Sequence, residues 1–234
     1  YSGVIMNYGD YQIPLLIAKQ TIQGGNIHLQ IDRYAGVAFF VGKEGLIATC
    51  RHIVQMVQEG EVLVGKSLNT GVIEPIYNIR VHADYDFALG AFMGQPDYRI
   101  FPMDGEDCLP GHDVRAFGFN NIGKIGADVR VNARMLKGYI VSKHETSDHP
   151  EAKTTTEVSF PSLKGFSGSP LVSTETGKLA GMMFSNHESS IEVHSFMDVE
   201  DNGDTFKESI YRVIELGLAH SISDINQFIS ALKG

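Results

Sequence analysis

The chain is broken into short apolar segments by turn residues, and that punctuation leaves little room for anything except a β fold. "GVAFFVG" and "LIATC" flank "KEG" and read as a hairpin with a Gly-containing loop. "EVLVG", "PIYNIRVHA" and "FALGAF" follow as further strands. "GQPDYRIFPMDGEDCLPGHD" then interrupts the pattern, rich in Pro, Gly and Asp and without periodicity, and reads as a linker between two halves. Beyond it, "DVRAFGFN", "ADVRVNARMLKGYIVSK", "TTTEVSF", "SPLVST", "KLAGMMFS" and "YRVIELGLA" read as strands. One helix is signed, in "SISDINQFISALK". There Ile225, Phe228, Ile229 and Leu232 fall at i, i+3, i+4 and i+7. Ser221 and Asp224 have capping-box spacing, with Ser223 an alternative N-cap. This order predicts two antiparallel β units, sandwich or barrel, and a closing helix.

Composition narrows the class of function. A length of 234 residues allows one large or two small units with a sizeable core. Twenty-five glycines agree with a turn-rich β chain. The formal charge of −9, with no Lys/Arg block, argues against nucleic acid or an anionic membrane as a partner. No apolar run approaches the roughly 20 residues that a bilayer-spanning helix needs. Two cysteines, Cys50 and Cys108, make no disulfide framework and suit a reducing compartment, so a cytoplasmic location is expected. A secreted one stays open, because a start at Tyr1 rather than Met is that of a fragment or a processed product.

Three pieces stand in a suggestive chain order: His52 in "IATCRHIV", Asp86 in "HADYDFAL" and Ser167 in "KGFSGSPLV". A serine hydroxyl is a poor nucleophile at neutral pH and needs a neutral imidazole to take its proton. The imidazole in turn needs a carboxylate to fix its tautomer and to stabilise the cation that forms. His…Asp…Ser is the order of one convergent solution to that problem.

With these residues in place, the sequence resembles the chymotrypsin-like (trypsin-fold) serine proteases, in the disulfide-poor style of the bacterial and viral branches. "GVAFFVGKEGLIATCRHIV", "DFAL", "GFSGSP" and "TGKLAGMMFSN" are similar to that family's histidine, aspartate, nucleophile and edge-strand segments, from about Gly36 to Asn186. The resemblance implies two antiparallel six-stranded β-barrels and a C-terminal α-helix: the first barrel over 1–97 with the His and Asp, a linker over 98–112, and the second over 113–234 with the Ser. It implies that Ser167 is the nucleophile and that the N–H groups of Gly165 and Ser167 form the oxyanion hole. Ser169 then fills a small packing position. Pro161 and Ser162 fall near the base of the P1 pocket, Met183 on its wall and Gly217 on its far wall. Phe184, Ser185 and Asn186 would pair with substrate as an added strand. No acidic residue stands at the pocket base, so a medium apolar P1 residue is expected rather than Arg or Lys.

The chain also departs from the family pattern. Phe166 stands where digestive relatives carry an aspartate that pairs with a new N-terminus, which argues against activation by trimming. Cys50 and Arg51 replace small residues before the histidine, and Cys50 reads as a buried apolar residue. The segment 187–209 is longer than usual and reads as a lid, a partner site or a disordered loop.

The remaining histidines, His28, His82, His112, His144, His149, His187, His194 and His220, show no metal-ligand spacing. His82 and Asp84 are second choices for the triad. The expected function is a serine endopeptidase acting on protein or peptide, with no metal and no cofactor. A catalytically silent protease-fold binding module and a viral polyprotein-processing protease are the alternatives, and oligomeric state is left open.

Overall fold

Six consecutive residues, Ile13 to Ala18, are shut away from solvent, and around that run the N-terminal half is built. The computed structural model describes residues 7–23, 26–94, 98–125, 128–145, 149–199 and 205–233. A 3-10 turn at Tyr8–Asp10 leads into β1 (Gln12–Gln23), β2 (Asn26–Phe40) and β3 (Leu46–Thr49). A short helix, α1 (Arg51–Gln55), precedes β4 (Glu61–Lys66), β5 (Ile73–Pro75), β6 (Tyr77–Val81) and β7 (Ala88–Ala91). After a stretch whose described residues, 92–94 and 98–112, carry no helix or strand come β8 (Asp113–Ile125), β9 (Asp128–Glu145), β10 (Thr154–Val158), β11 (Pro170–Ser173), β12 (Leu179–Val199) and β13 (Thr205–Ser221). The helix α2 (Ile222–Lys233) ends the fold.

The first sheet has the order β5-β4-β1-β2-β3-β7-β6. Its two outermost strands are neighbours in sequence, separated by Ile76 alone. The chain pairs with β4 before that residue and with β7 after it, so the two edges of the sheet come together. The expected six-stranded first barrel is therefore a curled sheet of seven strands, because one strand breaks at a corner. The second unit is a closed barrel of six strands, β10-β13-β12-β11-β8-β9, as expected.

Two strands of this barrel overshoot it. β12 and β13 stay paired from Gly181↔Ser221 out to Val199↔Thr205. The segment 187–209 is thus the outer part of a long two-stranded ribbon, with 200–204 outside the described residues.

Packing ties the two units together. One apolar cluster takes Phe39, Phe87 and Phe92 from the first sheet, Phe117 and Met182 from the barrel, and Ile225 and Phe228 from α2. A second cluster, with Val114, Ile140, Phe166, Leu171 and Met183, fills the barrel. The helix begins as its sequence predicts: the Asp224 N–H donates to Ser221 Oγ at 3.2 Å. The Asp224 carboxylate does not complete the box, and instead accepts from Thr154 N–H at 3.0 Å. Phe228 lies 5.0 Å from the Tyr85 ring and 5.3 Å from that of Phe87. Burying its side chain contributes roughly 1.5–3 kcal/mol, and the contact brings α2 against the turn that carries Asp86.

Candidate active site

His52 is the second residue of α1, directly after β3, and Asp86 ends the turn between β6 and β7. The His52 Nδ1 lies 2.7 Å from Asp86 Oδ2, and the His52 backbone N–H donates to Asp86 Oδ1 at 2.8 Å. Both carboxylate oxygens are thus committed to one residue. The histidine side chain is 43% exposed and the aspartate 8%, so the imidazole opens to solvent and the acid is shut behind it. Burial would push the Asp86 carboxyl up, but its hydrogen bonds to His52 and the nearby imidazole outweigh that and hold it below the usual carboxylate range.

Three residues hold this pair, and none was singled out for that role in the sequence. The Arg51 guanidinium donates to the carbonyls of His82 (3.0 Å) and Ala83 (2.7 Å), pinning the turn before Asp86. The Asp86 N–H donates to the Glu151 carbonyl at 2.7 Å. Behind the carboxylate, fully buried His220 places Nε2 3.1 Å from the Asp86 carbonyl, which requires the proton on Nε2. Its Nδ1 has no partner among the described residues, and burial pushes its pKa down. His82 takes a structural part: its Nδ1 accepts from the N–H groups of Asp84 and Tyr85.

Ser167 comes from the barrel. Its carbonyl accepts from Val37 N–H of β2 at 2.9 Å, and the next residue's N–H donates to the Met183 carbonyl at 2.8 Å. Gly168 has φ +82°, and a Cβ there would stand 2.0 Å from the Val37 carbonyl oxygen, so only glycine lets the loop sit against β2. The Ser167 hydroxyl is turned to the Phe184 carbonyl at 3.5 Å, without a hydrogen bond to His52 among the described residues. Phe184 and Ser185 line a cavity of about 410 Å³ together with Arg51, His52, Gln55, Asp86 and Glu151. The Ser167 hydroxyl and the His–Asp pair are thus linked through Phe184, whose carbonyl faces the serine and which lines the cavity beside His52.

The segment before Ser167 is a turn of type II pattern. Phe166 N–H donates to the Leu163 carbonyl at 2.8 Å, and Gly165 has φ +92°. Neither the N–H of Gly165 nor that of Ser167 has an acceptor among the described backbone hydrogen bonds. Phe166, in place of a charged residue, is fully buried in the barrel core. Ser169 is also fully buried, and its Oγ has no partner among the described residues.

The residues expected around P1 lie together. The Met183 methyl packs against Gly217, where an added Cβ would stand 2.7 Å away, with Val158 and the Phe160 carbonyl beside it. The Asn186 side chain forms two hydrogen bonds with the backbone of Ser162, accepting its N–H at 2.5 Å and donating to its carbonyl at 2.9 Å. Pro161 precedes Ser162 in the same partly buried stretch. On the edge away from β13, the pairing of β12 with β11 ends at Met182, and Phe184 to Asn186 have no further partner strand among the described residues.

Cys50, His52 and Asp86 offer a sulfur, a ring nitrogen and a carboxylate oxygen within 4.8 Å of one another. This is a poor metal site: the Cys50 thiol is buried, donates to the Met183 carbonyl, and has its pKa pushed up by burial.

A two-unit β fold with this His, Asp and Ser order defines a class. A family model of the trypsin-like peptidase domain matches residues 36–182, more than half of the chain, and the chain belongs to that family. Among solved structures, 418 chains match it. One is the apo form of the MamO protease domain from Magnetospirillum magneticum, with 16% identity, a TM-score of 0.54, and 91% of this chain and 95% of that chain covered. At that identity the likeness is one of fold. No curated protein matches the chain.

Proposed function

We propose that this peptidase-family chain is an active serine endopeptidase using Ser167, His52 and Asp86. The observation that carries the reading is the double hold of Asp86 on His52 at the mouth of a cleft shared with Phe184. With Nδ1 protonated toward Asp86, the lone pair of the His52 Nε2 is left to act as base. Ser167 Oγ rotates from the Phe184 carbonyl and attacks the scissile carbonyl carbon, and its proton passes to Nε2. The tetrahedral oxyanion accepts from the N–H groups of Gly165 and Ser167. Collapse returns the proton to the leaving amine, and water then releases the acyl group by the same steps.

Pro161, Ser162 and Met183, the side chains expected around P1, carry no charge, so a charged P1 side chain would lose its water without gaining a partner, at a cost of several kcal/mol. On this reading the enzyme cleaves after medium apolar residues, whose burial gains roughly 1.5–3 kcal/mol. A P1-scanned fluorogenic peptide series tests this, and a strong preference for Arg or Lys would refute it. Labelling by a fluorophosphonate probe tests the nucleophile. The second reading, a silent binding module, is favoured by one observation, the Ser167 hydroxyl directed to the Phe184 carbonyl without a hydrogen bond to His52 among the described residues. A chain inert to the probe would support it.

A further inference from the structure

Tyr34 lies on β2, in the first sheet, opposite Leu16. Its side chain crosses to the barrel. The hydroxyl donates to the Gly165 carbonyl at 2.6 Å and stands 3.3 Å from that of Phe119. A phenol has one proton to give, and the shorter contact takes it. Burial pushes the Tyr34 pKa up, so the hydroxyl stays a donor. The ring edge is also close, with Cε1 2.5 Å from where a Gly165 Cβ would be.

The carbonyl held in this way belongs to the peptide joining Gly165 to Phe166. The N–H of that same peptide donates to Leu163 at 2.8 Å. One peptide unit is therefore gripped at both polar ends, from the first sheet by Tyr34 and from the barrel by Leu163. It is the spacer between the N–H of Gly165 and the N–H of Ser167, the two donors that have no acceptor among the described backbone hydrogen bonds. Its plane sets the angle at which they converge. We infer that Tyr34 is a positioning residue that aims the oxyanion donors across the junction between the two units. This rests on the peptidase reading above.

Tyr34→Phe is the test, since it keeps the ring and removes the hydroxyl. Losing a whole oxyanion donor costs about 100-fold or more in kcat, and loosening the spacer is expected to cost about tenfold. KM should stay within about twofold, because ground-state binding does not use these donors. A peptide boronate, whose tetrahedral adduct occupies the oxyanion position, should bind weaker by the same factor as kcat falls. A product peptide should bind as before. The acid limb of the pH profile should not move, since His52 and Asp86 are untouched. Tyr139→Phe, on an exposed tyrosine, is the control. Should the Phe variant not fold, Tyr34→His keeps a donor and should retain more activity than Tyr34→Leu.

Equal kcat and boronate affinity in Tyr34→Phe and wild type would overturn the inference. So would a parallel weakening of boronate and product peptide, which would mean that the hydroxyl supports the whole cleft. A wild-type chain inert to both fluorophosphonate and boronate would overturn the peptidase reading itself, and this inference with it.

Discussion

The β12–β13 hairpin is two different structures along one ladder. At its base, Met182, Met183, Leu218 and Ala219 are fully buried. Farther out, Ile191 is 50% exposed, Val193 55%, Tyr211 56% and Met197 66%. Large apolar side chains occur in both parts, alternating with polar and charged ones in the outer part, but their neighbours differ. β13 gains a second partner, β10, from Gly217 onward, and β12 has β11 only up to Met182. Where a third strand lies alongside, apolar residues become core. Where only two run together, the same residues face water, a state in which a hairpin has little stability of its own. The hairpin reaches the candidate cleft only with its base, through Phe184 and Ser185.

That division can be broken or sharpened by experiment. The largest effect is expected beside the base, at the serine that faces the Phe184 carbonyl: Ser167→Ala should lower peptidase activity by several orders of magnitude, as triad knockouts do. Retained activity in a peptide assay would displace the nucleophile from the cleft. Asp86→Asn should come next, with a loss of similar kind but residual turnover, because the imidazole tautomer is no longer fixed. Its pH signature is separate. The Asp86 carboxyl is held below its unfolded value of about 3.9, so its stabilisation is present above that value and is lost as the pH falls through the lower folded one. Urea midpoints measured against pH should show that acid limb in wild type and lose it in the Asn variant.

His220 should give a smaller effect in a milder pH range. Its folded pKa is depressed by burial, so the unfolded chain takes up the proton first as the pH drops below about 6.5, and stability declines from there. His220→Gln should flatten that slope in thermal melts. Replacing residues 189–214 by a short turn should leave fluorophosphonate labelling within about twofold of wild type, since surface changes remote from a site are near neutral. A collapse in labelling would show that the ribbon is part of the cleft. Ser169→Ala should do least, since its buried Oγ makes no hydrogen bond among the described residues.

The sequence announced what depends on local pattern. The capped helix, the hairpin from β2 to β3, and the three segments carrying His52, Asp86 and Ser167 are each legible within a dozen residues. β1 is different: Ile13 to Ala18 are buried on both faces, so the alternation that marks a strand is missing. α1 spans five residues, too few for a helical repeat. The ribbon hides for the opposite reason, as its charged residues alternate with apolar ones on strands that no core requires. Tyr34, Glu151 and His220 reach the candidate site only through tertiary contacts, across separations of 65 to 134 residues in the chain. Nothing in their neighbours' identity points there.

The corner at Ile76 gives the first unit a weakness that its core does not share. The sheet is shut there by chain connectivity, with the three residues of β5 on one side and β6 on the other, rather than by a ladder of hydrogen bonds. β6 is a wholly exposed strand that runs directly into the turn ending at Asp86. A sub-global opening that lifts β6 off β7 would carry the acid away from His52 while β1 to β4 remain intact. Amide exchange should then find 77–81 among the first protected residues to be released, and mild denaturant should abolish the proposed peptidase activity before it unfolds the chain.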